Sequence, residues 1–128
     1  MTDQERNKPT SDNLLHVLQA NEFSMRGLRA AWQGEFAFRL EVCLALLCLP
    51  FAFWLGQTGL ERGLLIMCAF LVLIVELLNS ALESAVDRIG TERHELSGQA
   101  KDMGSAAVFM SLMNFVGVWS CVAAGRFL

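Results

Sequence analysis

A glutamate interrupts the most apolar part of this chain. Residues 64–75 carry no charge, and Glu76 follows them directly. Such a run predicts a helix that crosses a lipid bilayer, where an ionisable side chain is costly and is usually kept for a function. Asn79, Glu83 and Asp87 follow at helical spacing, so the four polar side chains fall on one face. Carboxylates and an amide arranged in this way can hold a cation or move a proton.

The composition supports a membrane protein. The chain has 128 residues, of which 54% are hydrophobic, and it contains only 2 prolines. A soluble domain of this length would need more polar residues to cover its surface. The length allows a single domain, predicted for residues 12–128, after a disordered tail at residues 1–11. The net charge of -3 gives no reason to expect a nucleic acid partner.

The hydropathy pattern divides the domain into a surface helix and three spans. Mixed apolar and polar residues at about 12–32 predict an amphipathic helix that lies on the membrane surface. Apolar stretches predict membrane spans at about 36–55, 61–89 and 103–127. The expected fold is therefore an all-α membrane protein, with three transmembrane helices preceded by an N-terminal amphipathic surface helix.

The positions of lysine and arginine predict the orientation in the membrane. With the N-terminus inside, the cytoplasmic side carries Arg26, Arg29, Arg39, Arg88, Arg93 and Lys101, and the outside carries only Arg62 and Arg126. We therefore expect a cytoplasmic N-terminus and a cytoplasmic loop at residues 87–102. Glu76 would then lie roughly 6 to 12 Å below the cytoplasmic edge of the hydrocarbon core, with Glu83 about 10 Å higher.

Carboxylates at these two depths suit phosphoryl transfer. That reaction needs a metal ion to neutralise phosphates, a base for the attacking hydroxyl and a cation on the phosphates. Glu35 and Glu83, near the cytoplasmic edge, are candidate magnesium ligands, and the deeper Glu76 is the candidate base. Asn79, one turn away, can orient Glu76. The pair at positions 101 and 102, Lys and Asp, can meet a nucleotide.

The residues alone leave three classes of protein open. Neither GxxxxGK[ST] nor GxGxxG occurs in the chain, so no standard nucleotide motif selects an enzyme. A membrane enzyme with a metal site, a proton- or ion-handling subunit, and a bundle whose carboxylates only join helices all fit the pattern.

Several blocks of the chain resemble the bacterial integral-membrane diacylglycerol kinases. These blocks are Gly27–Trp32, Glu35–Arg39, Glu76–Glu83, Val86–Arg88, His94–Gly98 and Ala100–Ala107, and the likeness extends over most of residues 14–126. The resemblance implies a homotrimeric bundle in the bacterial inner membrane, with active sites between subunits at the cytoplasmic face. It implies transfer of the ATP γ-phosphate to the hydroxyl of diacylglycerol, which gives phosphatidic acid, with Mg²⁺ as the cofactor.

The resemblance also implies roles for single residues. Glu76 is similar to the catalytic base and Asn79 to its supporting residue, while Glu35 and Glu83 are similar to the magnesium ligands. Nucleotide contacts are implied at His16, Phe23, Glu35, Glu83, Glu92, Arg93, His94, Lys101 and Asp102. Contacts with the lipid substrate are implied at Arg29, Ala30, Ala31, Trp32, Arg39, Trp54, Glu76 and Ser105. The family often has Arg at position 16 and Tyr at position 23, so this chain has a weaker cation and no hydroxyl there.

Two alternatives accompany this interpretation. Undecaprenol kinases are built on the same scaffold and also use a primary hydroxyl, although residues 95–98 and 101–105 favour diacylglycerol. A proton or ion pathway through Glu76 is the alternative without catalysis. A rotor-type subunit would typically be a two-helix hairpin with one carboxylate near mid-membrane, whereas this chain has three spans and several carboxylates toward one side.

Overall fold

The structure, a computed structural model, describes residues 10–90 and 92–128, which are helical for most of their length. The helices are α1 (Thr10–Gly34), α2 (Phe36–Leu55), α3 (Gly59–Ile89) and α4 (Glu95–Phe127). Helices α2, α3 and α4 are each long and apolar enough to cross a membrane. The all-α class is therefore confirmed, with three helices that are candidate membrane spans. Of the tail predicted for residues 1–11, residues 1–9 lie outside the described residues, and residues 10 and 11 belong to α1.

Helix α4 begins well before residue 103, where the third span was expected to start. His94 precedes its first turn, and the Nδ1 atom of His94 accepts a hydrogen bond of 3.2 Å from the N–H of Leu96. Such a cap satisfies one of the free N–H groups at a helix start. The polar residues that suggested a loop form instead the first turns of a helix that is 33 residues long.

Glu35 lies at the junction between α1 and α2. Its backbone is extended, with φ −111 and ψ 112, so the chain changes direction there. Arg39, in the first turns of α2, donates hydrogen bonds to the carbonyls of Trp32 (3.1 Å) and Gln33 (3.4 Å). A cation at these carbonyls complements the C-terminal end of α1. The junction therefore holds Glu35 in a defined place beside both helices.

The turn between α2 and α3 is closed by a capping box. The hydroxyl of Thr58 accepts a hydrogen bond from the N–H of Glu61 (3.2 Å), and the Oε2 atom of Glu61 accepts from the N–H groups of Thr58 (3.0 Å) and Gln57 (2.6 Å). These bonds satisfy the free donors at the start of α3. The start of α3 is therefore fixed at the end of the bundle opposite Glu35.

Helix α3 forms the centre of the bundle. It packs mainly along α4, and α2 packs on it from another side. Leu65 of α3 is fully buried against Ala52 and Leu55 of α2, and Trp119 of α4 packs on the same cluster. The outward faces of the helices are apolar and exposed, as at Leu47 and Phe53 of α2 and at Met110 of α4. Apolar faces of this kind suit contact with lipid or with other helices.

Arg126 ties the last turn of α4 to the last turn of α2. Its guanidinium donates hydrogen bonds to the carbonyls of Trp54 and of Leu55, the latter at 3.1 Å. The guanidinium carbon lies 4.8 Å from the centre of the Trp54 ring and 5.5 Å from that of Phe127. We call this arrangement the Arg126 clamp. It satisfies carbonyls that a helix end leaves free, and it adds cation–π contacts.

Replacing Arg126 by Ala should lower the free energy of unfolding by about 1 to 3 kcal/mol, because two carbonyls lose a charged donor. Unfolding of the protein in detergent micelles, followed by circular dichroism, measures this change. Arg88→Ala is the matched control, since Arg88 is an exposed arginine near the other end of the bundle. Equal changes in the two variants would show that the clamp contributes nothing.

Candidate active site

Glu76 is buried inside the bundle, with only 6% of its surface exposed. The negative charges of Glu35 and Glu83 lie close enough to act on it, and Glu76 acts in the same way on Glu41 of α2. We call Glu35, Glu41, Glu76 and Glu83 the acidic cluster. Its members come from the α1–α2 junction, from α2 and from α3, so the packing of three segments assembles it. The structure thus gathers the predicted base and both predicted magnesium ligands in one region.

Asn79 is held between Glu83 and helix α4. Its Nδ2 atom donates a hydrogen bond of 3.2 Å to the Oε1 atom of Glu83, while its Oδ1 atom is buried without a partner in the described part of the chain. A Cβ atom placed on Gly104 of α4 would lie 2.2 Å from that oxygen. A larger residue there would displace the Asn79 amide or move α4 away from it. The amide orients Glu83, whereas the sequence predicted that it would orient Glu76.

The polar ends of α3 and α4 enclose a second group of predicted residues. The Nζ atom of Lys101 lies 2.6 Å from the Oδ1 atom of Asp87, which joins the two helices. A cavity of about 400 Å³ beside this ion pair is lined by Asp87, Lys101, Glu92, Arg93 and His94, among others. Four of the residues predicted to contact the nucleotide thus share one cavity. Asp102 and Ser105 are exposed on α4 and do not line it.

Small residues on α1 form a cleft against α3. The cleft has a volume of about 710 Å³, and its walls include Ala30, Ala31, Gly34 and Glu35 on one side and Ser80, Ala81 and Ser84 on the other. A second cleft of about 640 Å³ lies between α1 and α2, and its lining includes Arg29 and Trp32. Both clefts adjoin the junction that carries Glu35. Four of the predicted lipid contacts therefore line clefts next to the acidic cluster.

Four further predicted site residues lie apart from these cavities. Trp54 belongs to the Arg126 clamp at the end of α2 opposite Glu35, and a helix of 20 residues is about 30 Å long. His16 and Phe23 are exposed on the first half of α1. Arg39 contacts the end of α1, as described above. The described chain does not by itself bring these four side chains to Glu76.

The donor set of the cluster suits magnesium that is shared with phosphate. Within residues 10–90 and 92–128, no three His, Cys, Asp or Glu side chains are arranged to hold a metal ion. Mg²⁺ usually takes one or two protein carboxylates and completes its shell with water and phosphate oxygens. Glu35 and Glu83 fit that pattern, because they supply hard oxygen donors near Glu76 without forming a closed cage.

The sequence did not single out Glu41 as a site residue. Glu41 is half-buried on α2, and its Oε2 atom is buried with no hydrogen-bond partner among the described residues. The available signal was the one that marked Glu76, an ionisable side chain inside an apolar helix. Because Glu41 lies near the start of α2, close to Glu35 and Arg39, the sequence did not distinguish it from other charged residues at a helix end. The packing of α2 on α3 is what brings Glu41 to Glu76.

Together these features define a class, the multi-pass membrane proteins with an acidic polar site at one end of a helix bundle. Residues 22–123 match the family described as prokaryotic diacylglycerol kinase. The chain belongs to this family.

Three relatives illustrate the match. A diacylglycerol kinase of Haemophilus influenzae is 51% identical over 106 residues, which cover 83% of this chain and 90% of that protein. The diacylglycerol kinase of Escherichia coli K12 is 50% identical over 111 residues, covering 87% and 91%. That of Pseudomonas aeruginosa is 47% identical over 112 residues, covering 88% and 91%.

Gly104→Ala should lower the melting temperature, because the added methyl group would overlap the Asn79 amide. Combining it with Asn79→Ala should recover part of the loss, since the smaller side chain makes room. Thermal unfolding in micelles measures the single variants and the double variant.

Gly98→Ala is the matched control on the same helix, because a Cβ atom there meets nothing within 4 Å. Alanine favours a helix over glycine by about 1 kcal/mol, so this variant should be as stable as the parent or more so. A Gly104→Ala protein as stable as the Gly98→Ala protein would contradict the close approach of α4 to Asn79.

Proposed function

We propose that this chain is a lipid kinase that transfers the γ-phosphate of ATP to the hydroxyl of diacylglycerol and forms phosphatidic acid. The family and the curated relatives named diacylglycerol kinase support this activity. The observation that carries the proposal is Glu76, a carboxylate buried in an apolar helix beside three further carboxylates. An acid in such a place costs free energy, and it is usually kept because it has a function.

Glu76 is the proposed catalytic base. It lies deeper in the bundle than Glu83, at the level where the hydroxyl of a membrane lipid can reach it. In its ionised form it accepts the hydroxyl proton as the oxygen attacks the phosphate. Burial excludes water, which would otherwise compete with the lipid for the phosphate. The proton therefore moves from the lipid hydroxyl to a carboxylate oxygen of Glu76, while the bond between the γ-phosphorus and the bridging oxygen breaks and ADP leaves.

Glu35 and Glu83 are the proposed ligands for Mg²⁺, which would supply positive charge to the phosphates when bound with ATP. The hydrogen bond from Asn79 to Glu83 supports this role, because it fixes the direction of one carboxylate oxygen. It also leaves the other oxygen available.

The cavity beside Lys101 is the proposed place of the nucleotide. Lys101 supplies a cation for phosphate, and Asp102 is proposed to contact the sugar or the metal ion. Glu92, Arg93 and His94 line the same cavity at the connection before α4 and its start, and they are proposed nucleotide contacts. His16 and Phe23 are proposed contacts from α1.

The two clefts of α1 are the proposed entry for the lipid. Arg29, Ala30, Ala31 and Trp32 border them, while Arg39, Trp54 and Ser105 are further proposed lipid contacts. Helix α1 is proposed to lie on the membrane surface, since its exposed apolar residues, such as Leu18 and Met25, alternate with polar ones.

We further propose a homotrimer in the bacterial inner membrane, with its sites at the cytoplasmic face. The distribution of Lys and Arg supports a cytoplasmic N-terminus. The single chain leaves His16, Phe23 and Ser105 away from the acidic cluster, and a site shared between subunits would account for this. Apolar exposed faces on all three spans leave room for neighbouring copies.

Purified protein should phosphorylate diacylglycerol when supplied with MgATP, and it should phosphorylate undecaprenol poorly. Transfer of radioactive phosphate to each lipid in mixed micelles measures both reactions under the same conditions. Phosphate that appears only on the polyprenol would overturn the proposed acceptor, and phosphate on neither lipid would overturn the proposed activity.

Two variants should separate the roles within the acidic cluster. Glu76→Gln should lower kcat by about 10²- to 10⁴-fold with little change in the KM for MgATP, because a base acts in the transition state. Glu83→Gln should raise the Mg²⁺ concentration needed for half-maximal activity, and excess Mg²⁺ should restore part of the rate.

Glu61→Gln is the control for both variants. Gln can replace Glu in a capping box, and Glu61 lies at the other end of α3. Its steady-state constants should match those of the parent. The same pattern of change in Glu76→Gln and Glu83→Gln would contradict the separate roles.

A further inference from the structure

A small apolar cavity opens beside Glu41. It has a volume of about 180 Å³ and lies among α2, α3 and α4, with Leu44, Ala69, Val72 and Phe115 in its lining. An apolar cavity of about 150 Å³ is large enough to hold a benzene molecule. This cavity is therefore large enough for a segment of hydrocarbon, such as part of an acyl chain.

The order of residues along the helices places the cavity deeper than the acidic cluster. On α2 the chain runs from Glu35 past Glu41 to Leu44, and on α3 it runs back from Glu76 to Val72 and Ala69. Glu41 thus lies at the polar end of the cavity, between its apolar walls and Glu76. A lipid whose hydroxyl reaches Glu76 would direct its chains past Glu41.

The carboxyl of Glu41 lacks a partner for its buried oxygen. The Oε2 atom accepts no hydrogen bond from the described residues, and no Lys, Arg or His lines the cavity there. Arg39, the nearest cation along the chain, is bound to the carbonyls of Trp32 and Gln33. A buried polar group in this state costs free energy until a ligand supplies the missing bond.

Glu41 lies near Glu76, whose negative charge acts on it. Two negative charges in apolar surroundings repel strongly, so a pair of this kind carries a proton on one member. Glu41 lines an apolar cavity with no cation among the described residues of its lining, and Glu76 must be ionised to accept the hydroxyl proton, so the proton belongs on Glu41. A protonated carboxyl is a hydrogen-bond donor.

We propose that Glu41 is a positioning residue that selects the acceptor lipid, by donating a hydrogen bond to an ester carbonyl of diacylglycerol whose adjoining chain segment enters the cavity. The inference rests on the proposed kinase activity. Diacylglycerol carries an ester on the carbon next to its hydroxymethyl group, so one molecule can meet Glu76 and Glu41 together. A polyprenol has a hydroxyl but no ester carbonyl, and it would leave Glu41 unpaired.

The test compares diacylglycerol with a dialkylglycerol of the same chain length, which keeps the hydroxyl but has ether oxygens in place of ester groups. The wild-type protein should use the diester with about tenfold higher kcat/KM, the effect expected for one such hydrogen bond. Glu41→Met keeps the length of the side chain without its polar group, and it should use both lipids equally. Its KM for diacylglycerol should rise about tenfold, with a smaller change in kcat.

Glu41→Gln is the matched variant, because its amide keeps a donor at the same place, and it should retain the preference for the diester. A merely structural role for Glu41 would lower activity with both lipids and leave their ratio unchanged. If Glu41→Met does not fold, the proposal is tested by the ratio of kcat/KM for the diester to kcat/KM for the dialkylglycerol. This ratio is then compared between the wild type and Glu41→Gln.

Equal use of the two lipids by the wild type would overturn the proposal while leaving the kinase activity intact. The same holds if Glu41→Met keeps the preference for the diester or if Glu41→Gln loses it. A wild type that phosphorylates neither lipid would instead contradict the proposed function.

Discussion

The structure depends on the burial of carboxylates between apolar helices. An ionised acid at the centre of a membrane helix costs about 2.5 to 3.5 kcal/mol on insertion scales. Glu76 is buried all the same, and one oxygen of Glu41 is buried beside it. The apolar remainder of α3 and α2 holds these groups in the membrane, and the packing of the helices buries them. A polar site with few polar residues is the result.

Close packing around this site relies on small residues at a few contacts. Gly104 allows α4 to reach the amide of Asn79, and the ion pair of Lys101 with Asp87 joins the same two helices farther along. Ala30 and Ala31 keep the face of α1 open against α3. The bonds between neighbouring helices lie mostly at their ends, as in the Arg126 clamp. Among the described residues, apolar contacts such as those of Leu65 hold the middle of the bundle.

The polar face of α3 could be predicted from the sequence, because helical spacing is a local property. The three spans followed from hydropathy, and the family followed from motifs. Other features depend on contacts between helices and had no local signal. Glu41 joins the cluster only when α2 packs on α3, whereas the hydrogen bond from Asn79 to Glu83 is a pair four residues apart within α3. The start of α4 was missed because its first turns are polar, although His94 caps them.

The length of α4 has a mechanical consequence. Its 33 residues extend about 50 Å, well beyond a hydrocarbon core of about 30 Å. Together with the polar end of α3, it forms a stiff antiparallel rod that projects from the apolar part of the bundle. The height of these polar helix ends above the lipid is therefore set by the rise of the helices. Groups on this projection keep a constant separation from Glu76 when the surrounding bilayer thickens, thins or bends.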